Sequence, residues 1–465
     1  MSESTAVYER HRAAMKDAIP DHLGRIRWDR ERIQCHQRDQ VRRLLDLAIT
    51  ASPFHAGRLR GVDPARFELA DLPSLPTMTK TEMMAQLDGV FTDRRLTRAM
   101  VEDHLGATGD SPTYLLGEYV VLASGGSSGE RGVFVFDRPA AVDYTLGLVR
   151  PGIARLLAAG GPPPGGAKMA LVAAGSAIHA TRALPVIFSV GMLSITSIPV
   201  TQPLDDIVER LNDLQPLMLQ GYPSVLGLLA EEQLAGRLRI SPRTVSGGSE
   251  QFPASVWAQV GAAFGVPVVD QFGSTEGVVG ASAPETREIV LASDLAIIEL
   301  VDEEDRPVDP GTPSAKVLVT NLFNRTQPLI RYELTDRFVE APAVPEHGHR
   351  RVTVDGRDDE MLRWGDVVIH PVVIRSALLE WPAIVEYQVR QTPGGVEISV
   401  VAVSEVDECS VADAVRRQLA VAGLPSPLVT VRRVPSVERH PQTGKARRFV
   451  PLAPTARLHG SSISA

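Results

Sequence analysis

The first hundred residues carry the spacing of core-facing helices. Between Gln40 and Ala48 the apolar side chains fall at Val41, Leu44, Leu45 and Ala48, the i, i+3, i+4, i+7 stripe of a helix with one buried face. Pro73 and Pro76 interrupt that pattern. Thr79-Lys-Thr-Glu82 then predicts a new helix start, with a capping threonine and a glutamate three residues on. From about residue 119 the texture changes. Short β-rich runs (Tyr119–Ala123, Lys168–Ala174, Ser194–Val200 and Val266–Asp270) alternate with segments of helical period such as Pro223 to Leu234. Such alternation predicts an α/β domain, with parallel sheet covered by helices. The uncharged stretch between Arg182 and Asp205 is punctuated by Pro185, Gly191 and Pro199, so it reads as a buried helix and strand and not as a membrane span.

Beyond Arg357 a smaller unit is expected. Two helical patterns, Val372 to Leu379 and Val411 to Leu419, are interleaved with alternating strands such as Val396 to Val403, the texture of a compact α+β domain of about a hundred residues. The predicted organisation is a large α/β domain over residues 1–355, a small α+β domain over 356–452 and a loose tail over 453–465.

Composition narrows the function classes. With 465 residues, 44% hydrophobic and 22% charged, the chain is an ordinary globular one of more than one domain. A formal net charge of −8 argues against a protein that coats nucleic acid. The two cysteines, Cys35 and Cys409, are far apart, which disfavours a disulfide framework or a cysteine-rich zinc module and fits a reducing cytoplasm. The polar N-terminus has no apolar core of a signal peptide. Only five of the 48 basic residues are lysines (Lys16, Lys80, Lys168, Lys316 and Lys445), so a retained lysine hints at a need for a compact ammonium.

Four segments could carry chemistry. Leu122-Ala-Ser-Gly-Gly-Ser-Ser-Gly-Glu-Arg-Gly132 leaves a β-run and can turn amides and hydroxyls toward a polyphosphate, or simply be a surface turn. It lacks the Lys-Ser/Thr pair of a Walker A loop. Asp270-Gln-Phe-Gly-Ser-Thr-Glu-Gly277 places an aromatic ring beside a threonine and a glutamate at a strand end, a set suited to base stacking and to a hard cation, or a polar loop. Pro328 to Asp336, followed by Asp355-Gly-Arg-Asp-Asp359, offers a carboxylate that can accept from both ribose hydroxyls, or a charged turn. Arg439-His-Pro-Gln-Thr-Gly-Lys445 displays one of the five lysines in a loop bounded by proline and glycine.

In this order, from about residue 40 to 450, these motifs resemble those of the adenylate-forming superfamily of acyl-CoA synthetases, luciferases and adenylation domains. The match looks nearest to the phenylacetate–CoA ligase family, whose entry region resembles Leu45 to Phe54 and Asp71 to Lys80. The resemblance implies that Ser124, Gly125, Ser127, Ser128 and Gly129 wrap the phosphates of ATP, and that Gly248 and Glu250 line the adenine on which Phe272 stacks. It implies Thr275 and Glu276 at the phosphates and their Mg2+, Asp336 and Arg357 at the ribose, and Asp359 as the hinge of a small lid domain. Lys445 matches the lysine that bridges carboxylate and α-phosphate, while His179 and Tyr222 border the acyl pocket.

The implied activity is ATP-dependent activation of a small, aromatic-type carboxylic acid as acyl-AMP, then transfer to coenzyme A, in a cytoplasmic enzyme expected as a homodimer. Glu130-Arg131 stands where Lys-Pro is common, and Trp364, Asp366 and Arg375 are departures after the hinge. These departures bear on the acceptor more than on adenylate formation. A carrier-protein thiol, an amine or a small nitrogen nucleophile such as nitrite are the alternatives to coenzyme A. A catalytically silent nucleotide-binding homologue is the alternative of another class.

Overall fold

The structure, a computed structural model, describes residues 3–107, 113–124, 132–164, 166–173, 193–200, 202–250, 252–283, 286–344, 347–357, 361–365, 367–369, 371–378, 381, 383–402, 404–439 and 448–452. The chain divides into a large unit, residues 1–356, and a small unit that starts at Arg357.

The large unit opens with helices Glu3–Arg25 and Arg30–Ala51. The second begins where the Asp29 side chain accepts the Arg32 N–H, and its Val41–Ala48 stripe is buried against Leu59, Phe67, Leu72, Leu322 and Ile330. At Thr79 the capping box is complete. Thr79 Oγ1 accepts from the Glu82 N–H at 3.2 Å and Glu82 Oε2 from the Thr79 N–H at 3.0 Å, starting helix Lys80–Ala85. The proline-rich segment before it is pinned by backbone bonds, Met78 N–H to Arg331 O and Glu333 N–H to Met78 O.

Strands β1 (Val120–Ala123) and β2 (Val133–Phe136) form an antiparallel pair, every residue of which is buried. Asp137 then caps helix Arg138–Ala158 by accepting the Ala140 N–H. Next come β3 (Ala167–Ala173), β4 (Leu193–Pro199), β5 (Met218–Gly221), β6 (Thr244–Gly248) and β7 (Val268–Gly273). They pair in parallel in the order β7-β6-β5-β3-β4. Helices Leu204–Leu214, Pro223–Leu234 and Ala254–Phe264 connect them. The apolar run Met169–Ala173 of β3, buried throughout, suits a strand covered on both faces.

Here the structure adds something the alternation of strands and helices did not predict: the sheet is mixed. Only Ser274–Val278 separates β7 from β8 (Val279–Ser282), too short a link for a parallel crossover, so β8 returns antiparallel. Strand β9 (Ile289–Leu291) pairs antiparallel to β8. Strands β10 (Ala296–Val301), β11 (Lys316–Asn321) and β12 (Tyr332–Leu334) make a separate antiparallel sheet. Strands β13 (Asp336–Glu340) and β14 (Arg351–Arg357) complete the nine-stranded sheet in the order β13-β14-β9-β8-β7-β6-β5-β3-β4.

A buried ion pair ties this unit together. Arg150 donates two bonds to Asp294, of 2.8 and 2.5 Å, with both side chains almost fully buried. Arg25 stands 3.7 Å from the same carboxylate, and His349 donates through Nε2 to Arg25 O while its Nδ1 accepts the Ser293 N–H. Arg150 and Arg25 hold the Asp294 carboxyl down at about 2 against the opposing pull of burial.

In the small unit, β15 (Leu362–Trp364) and β16 (Val367–Ile369) form a hairpin, followed by helix Pro371–Leu378. Strands β17 (Ile384–Thr392), β18 (Gly395–Ala402), β19 (Leu428–Arg433) and β20 (Phe449–Val450) form a sheet in the order β19-β18-β17-β20. Helix Glu408–Val421 packs on it, its Val411, Val415 and Leu419 meeting Val389, Val400 and Phe449 in a common core. Trp364 is anchored there by an Nε1–H bond of 2.9 Å to Thr392 O. Among the described residues no helix is long and apolar enough to cross a membrane.

Candidate active site

The neighbouring strands β5 and β6 end level with one another, and β7 runs two residues further, to Gly273. Gly221 pairs with Gly247 and Gly247 with Asp270, while Gly248 pairs with Gln271. The chain therefore leaves the sheet at one edge through Tyr222, through Ser249-Glu250 and, just past Phe272, through Ser274 to Glu276. In open α/β sheets the edge at the carboxyl ends of parallel strands is where ligands bind.

Tyr222 is fully buried and precedes helix Pro223–Leu234. Neither residue can satisfy that helix start, because Tyr222 makes no side-chain cap and Pro223 has no N–H. The Ser224 N–H is the first backbone donor of that helix, and Glu250 Oε2 accepts it at 3.2 Å. A carboxylate suits the positive end of a helix. Glu250 thus joins two segments expected to serve different halves of the site. Ser249 before it sits at φ +65°, a left-handed conformation that costs a non-glycine residue and clusters at functional turns. Gly248 admits no side chain, since a Cβ there would lie 2.6 Å from Gln271 O.

Phe272 is half-buried and meets the Phe338 ring edge-on, with centroids 5.1 Å apart. In sheet order β13 stands four strands from β7, about 19 Å if the sheet were flat. The contact means that the antiparallel wing curls back. Asp336 lies two residues before Phe338 on β13, on the same strand face, and is itself buried. Curling thus brings the expected ribose and adenine residues to the same side of the sheet.

The turn carrying Thr275 and Glu276 is held from behind. Tyr144 Oη donates to Ser274 O and Asn321 Nδ2 donates to Glu276 O, each at 2.9 Å. Gly277 closes the turn at φ +103°, and a Cβ there would collide with Asn321 Nδ2. Glu276 is buried and Thr275 half-buried. Burial and the nearby Glu276 charge together push the Tyr144 phenol up. Among the described residues no group of three or more metal-type side chains occurs. One carboxylate and one hydroxyl are nevertheless the hard oxygen donors that suit Mg2+, which takes few protein ligands and fills its shell with water and phosphate.

At the neck of the Ser/Gly loop, Ser124 N–H donates to Gly132 O and Gly132 N–H donates to Ser124 Oγ, both at 2.9 Å. The Ser124 hydroxyl is thus engaged in closing the loop base. Gly125, Ser127, Ser128, Gly129, His179, Asp359 and Lys445 lie outside the described residues, as does the side chain of Arg357, whose backbone ends β14.

Asp270 stands in this strand edge with its carboxyl raised to about 7. Burial outweighs both the Arg287 charge and the Gln271 N–H. Arg287 is partly diverted, because it also donates to Phe252 O and lies 5.8 Å from the Trp257 ring centroid.

The sequence reading missed the groups behind the site: Tyr144, Gln271 with its partner Gln220, and the buried amides Asn321, Asn324 and Gln327. A usable signal existed for the last three, since amides recur every third residue as an apolar strand ends in Val317-Leu-Val-Thr-Asn-Leu-Phe-Asn324.

The nine-stranded sheet with its curled antiparallel wing and the small α+β unit share the fold of a solved CoA ligase. In particular, the chain is similar to 2-hydroxyisobutyryl-CoA ligase, solved in the postadenylation state with R3-HIB-AMP. The identity is 17% and the TM-score 0.69, over 92% of this chain and 91% of that one. It is also similar to the anthranilate CoA ligase AuaEII in complex with anthranoyl-AMP, at 16% identity and TM-score 0.50, over 70% of this chain and 65% of that one. The amide bond synthetase McbA from Marinactinospora thermotolerans matches at 16% identity and TM-score 0.51, over 70% of this chain and 67% of that one. At these identities the likeness is one of fold. No protein-family model matches the sequence, and no curated protein does.

Proposed function

We propose that this protein is an AMP-forming ligase that activates a small carboxylic acid with ATP as acyl-AMP, releases pyrophosphate and passes the acyl group to coenzyme A. The observation that carries this reading is the convergence of Tyr222, Gly248, Glu250, Phe272, Thr275 and Glu276 on one sheet edge, with Asp336 curled onto the same side. Two of the similar folds belong to CoA ligases by name, and one of these was solved with an aromatic acyl-AMP, which supports an acyl adenylate here and an aromatic acid among the candidates.

In this reading the carboxylate attacks the α-phosphorus, pyrophosphate leaves, and no protein nucleophile is needed. The chain positions the reactants and answers the charge that builds on the phosphoryl oxygens. Phe272 offers a face to the adenine. Asp336 accepts from the ribose hydroxyls, and Arg357 is a second contact for the ribose. Ser124, Gly125, Ser127, Ser128 and Gly129 cradle the phosphates. Glu276 and Thr275 would hold Mg2+, which supplies charge neutralisation on the phosphates. Lys445 neutralises the carboxylate and α-phosphate as they meet. Tyr222 and His179 border the acyl group, and Asp359 is the joint that lets the small domain exchange one set of groups for another between half-reactions. An amine acceptor is the second reading, favoured by the fold likeness to an amide bond synthetase.

The test is exchange of labelled pyrophosphate into ATP across a panel of carboxylic acids, followed by product analysis with coenzyme A or with amines. Acid-dependent exchange is expected, with a thioester as product. Amide formation without thioester selects the second reading, and absence of exchange with every acid refutes both.

A further inference from the structure

We propose that Tyr144 and Asn321 are positioning residues for Glu276, and that the buried amides of residues 321–327 join the Glu276 turn to strand β2 in one rigid frame for the phosphates and their cation. The inference rests on the adenylating reading above and adds to it residues outside the family motifs.

Two carbonyls bracket the Thr275–Glu276 pair, and each is held by a buried donor: Ser274 O by Tyr144 Oη and Glu276 O by Asn321 Nδ2. Fixing the backbone on both sides fixes the directions in which the two side chains leave it. The Asn321 amide cannot flip without loss. Its Oδ1 accepts the N–H groups of Phe323 at 3.0 Å and Asn324 at 2.9 Å, so only its nitrogen is left for Glu276 O.

From Asn321 the bonds run on to β2. Asn324 Oδ1 accepts the Gln327 N–H, and Asn324 Nδ2 donates to Val135 O at 3.0 Å. Gln327 Oε1 accepts the Val135 N–H at 2.8 Å, and its Nε2 donates to Val133 O at 3.0 Å. Side-chain amides thus occupy the outer edge of β2, where a further strand would otherwise pair. A ring stack backs the same frame, with Tyr144 nearly parallel to Phe136 at 5.4 Å and to Phe323 at 6.3 Å. Burying three amides is costly unless every polar atom is matched. Here the matched bonds end on the candidate cation carboxylate's own backbone at one side and on the strand that follows the Ser/Gly loop at the other. A satisfied buried network of this kind is stiff.

The test uses the full-length protein and MgATP as probe. Tyr144→Phe removes one hydroxyl and leaves the ring stack, while Asn321→Ala removes the second anchor. The readouts are the melting temperature without ligand, the Mg2+ concentration giving half of the ATP-induced rise in melting temperature, and ATP binding by calorimetry without Mg2+. The expected result is an Mg2+ midpoint raised about fivefold to tenfold in Tyr144→Phe, the equivalent of one lost hydrogen bond, with metal-free ATP binding changed less than about twofold. If Asn321→Ala does not fold, Tyr144→Phe alone decides. A variant that melts earlier but keeps the wild-type Mg2+ midpoint overturns the positioning role and leaves a structural one. A wild-type protein with no response to MgATP overturns the ligase reading itself, and this inference with it.

Discussion

Replacing Asp270 by asparagine is expected to stabilise the protein at neutral pH, although the change is made inside the candidate site. The Asp270 carboxyl is raised from its ordinary 3.8 to about 7, chiefly because burial penalises its charged form. In the unfolded chain the group releases its proton near pH 4, whereas in the folded protein it keeps the proton up to about pH 7. Between those values the folded state binds more protons, so stability falls as pH rises and then levels off above pH 7. A displacement of about 3 units is worth about 4 kcal/mol at its ceiling. With about 2 cal/mol/K of unfolding entropy per residue, a unit of 356 residues converts that to about 5 °C in melting temperature.

The asparagine side chain carries no such charge, so the gain of Asp270→Asn should be near zero at pH 4, should grow through pH 5 and 6, and should be complete at pH 8. Thermal denaturation of both proteins at half-unit steps from pH 4 to 8.5 measures it directly. The argument requires the curves to diverge with rising pH. A constant gap, or a variant less stable than wild type at pH 8, would refute it. A site residue whose removal stabilises the fold is what a stability–activity trade-off looks like from the stability side.

Three further outcomes are expected. Arg150→Met leaves the Asp294 carboxylate buried with its bidentate partner gone, and urea unfolding should show a loss of about 3–5 kcal/mol, most of it recovered in the double variant with Asp294→Leu. Gly277→Ala forces a Cβ into Asn321 at φ +103°. It should cost about 2–4 kcal/mol in stability and abolish the protection that MgATP is expected to give the wild type in limited proteolysis. An alanine that protects normally would remove the Thr275–Glu276 turn from the proposed site. Lys445→Ala should slow acid-dependent pyrophosphate exchange by about 10²–10³-fold while sparing transfer from a supplied acyl-AMP. Equal loss of both half-reactions would count against its assigned role.

What the amino-acid order determined alone was local and periodic. The Val41–Ala48 stripe, the Thr79–Glu82 capping box and the Pro223–Leu234 helix each depend on residues three or four apart, and all three are present as read. The same order also placed Phe272 and Glu276 just past a strand end, because a β-run followed by glycine and polar residues is visible there, whereas Tyr222, Gly248 and Glu250 were named only through the family resemblance. It left open which strand ends are neighbours. That was decided by register, with Gly221, Gly247 and Asp270 level across three strands, and by the curl that sets Phe338 on Phe272.

The frame behind the site was hidden for the same reason. Gln327 meets Val135 across 192 residues of sequence, and Glu250 caps a helix that begins 27 residues before it. Neither bond leaves a periodic trace, because a buried amide or carboxylate is stabilised by whichever backbone groups the packed tertiary structure leaves unpaired, and only the folded arrangement says which those are.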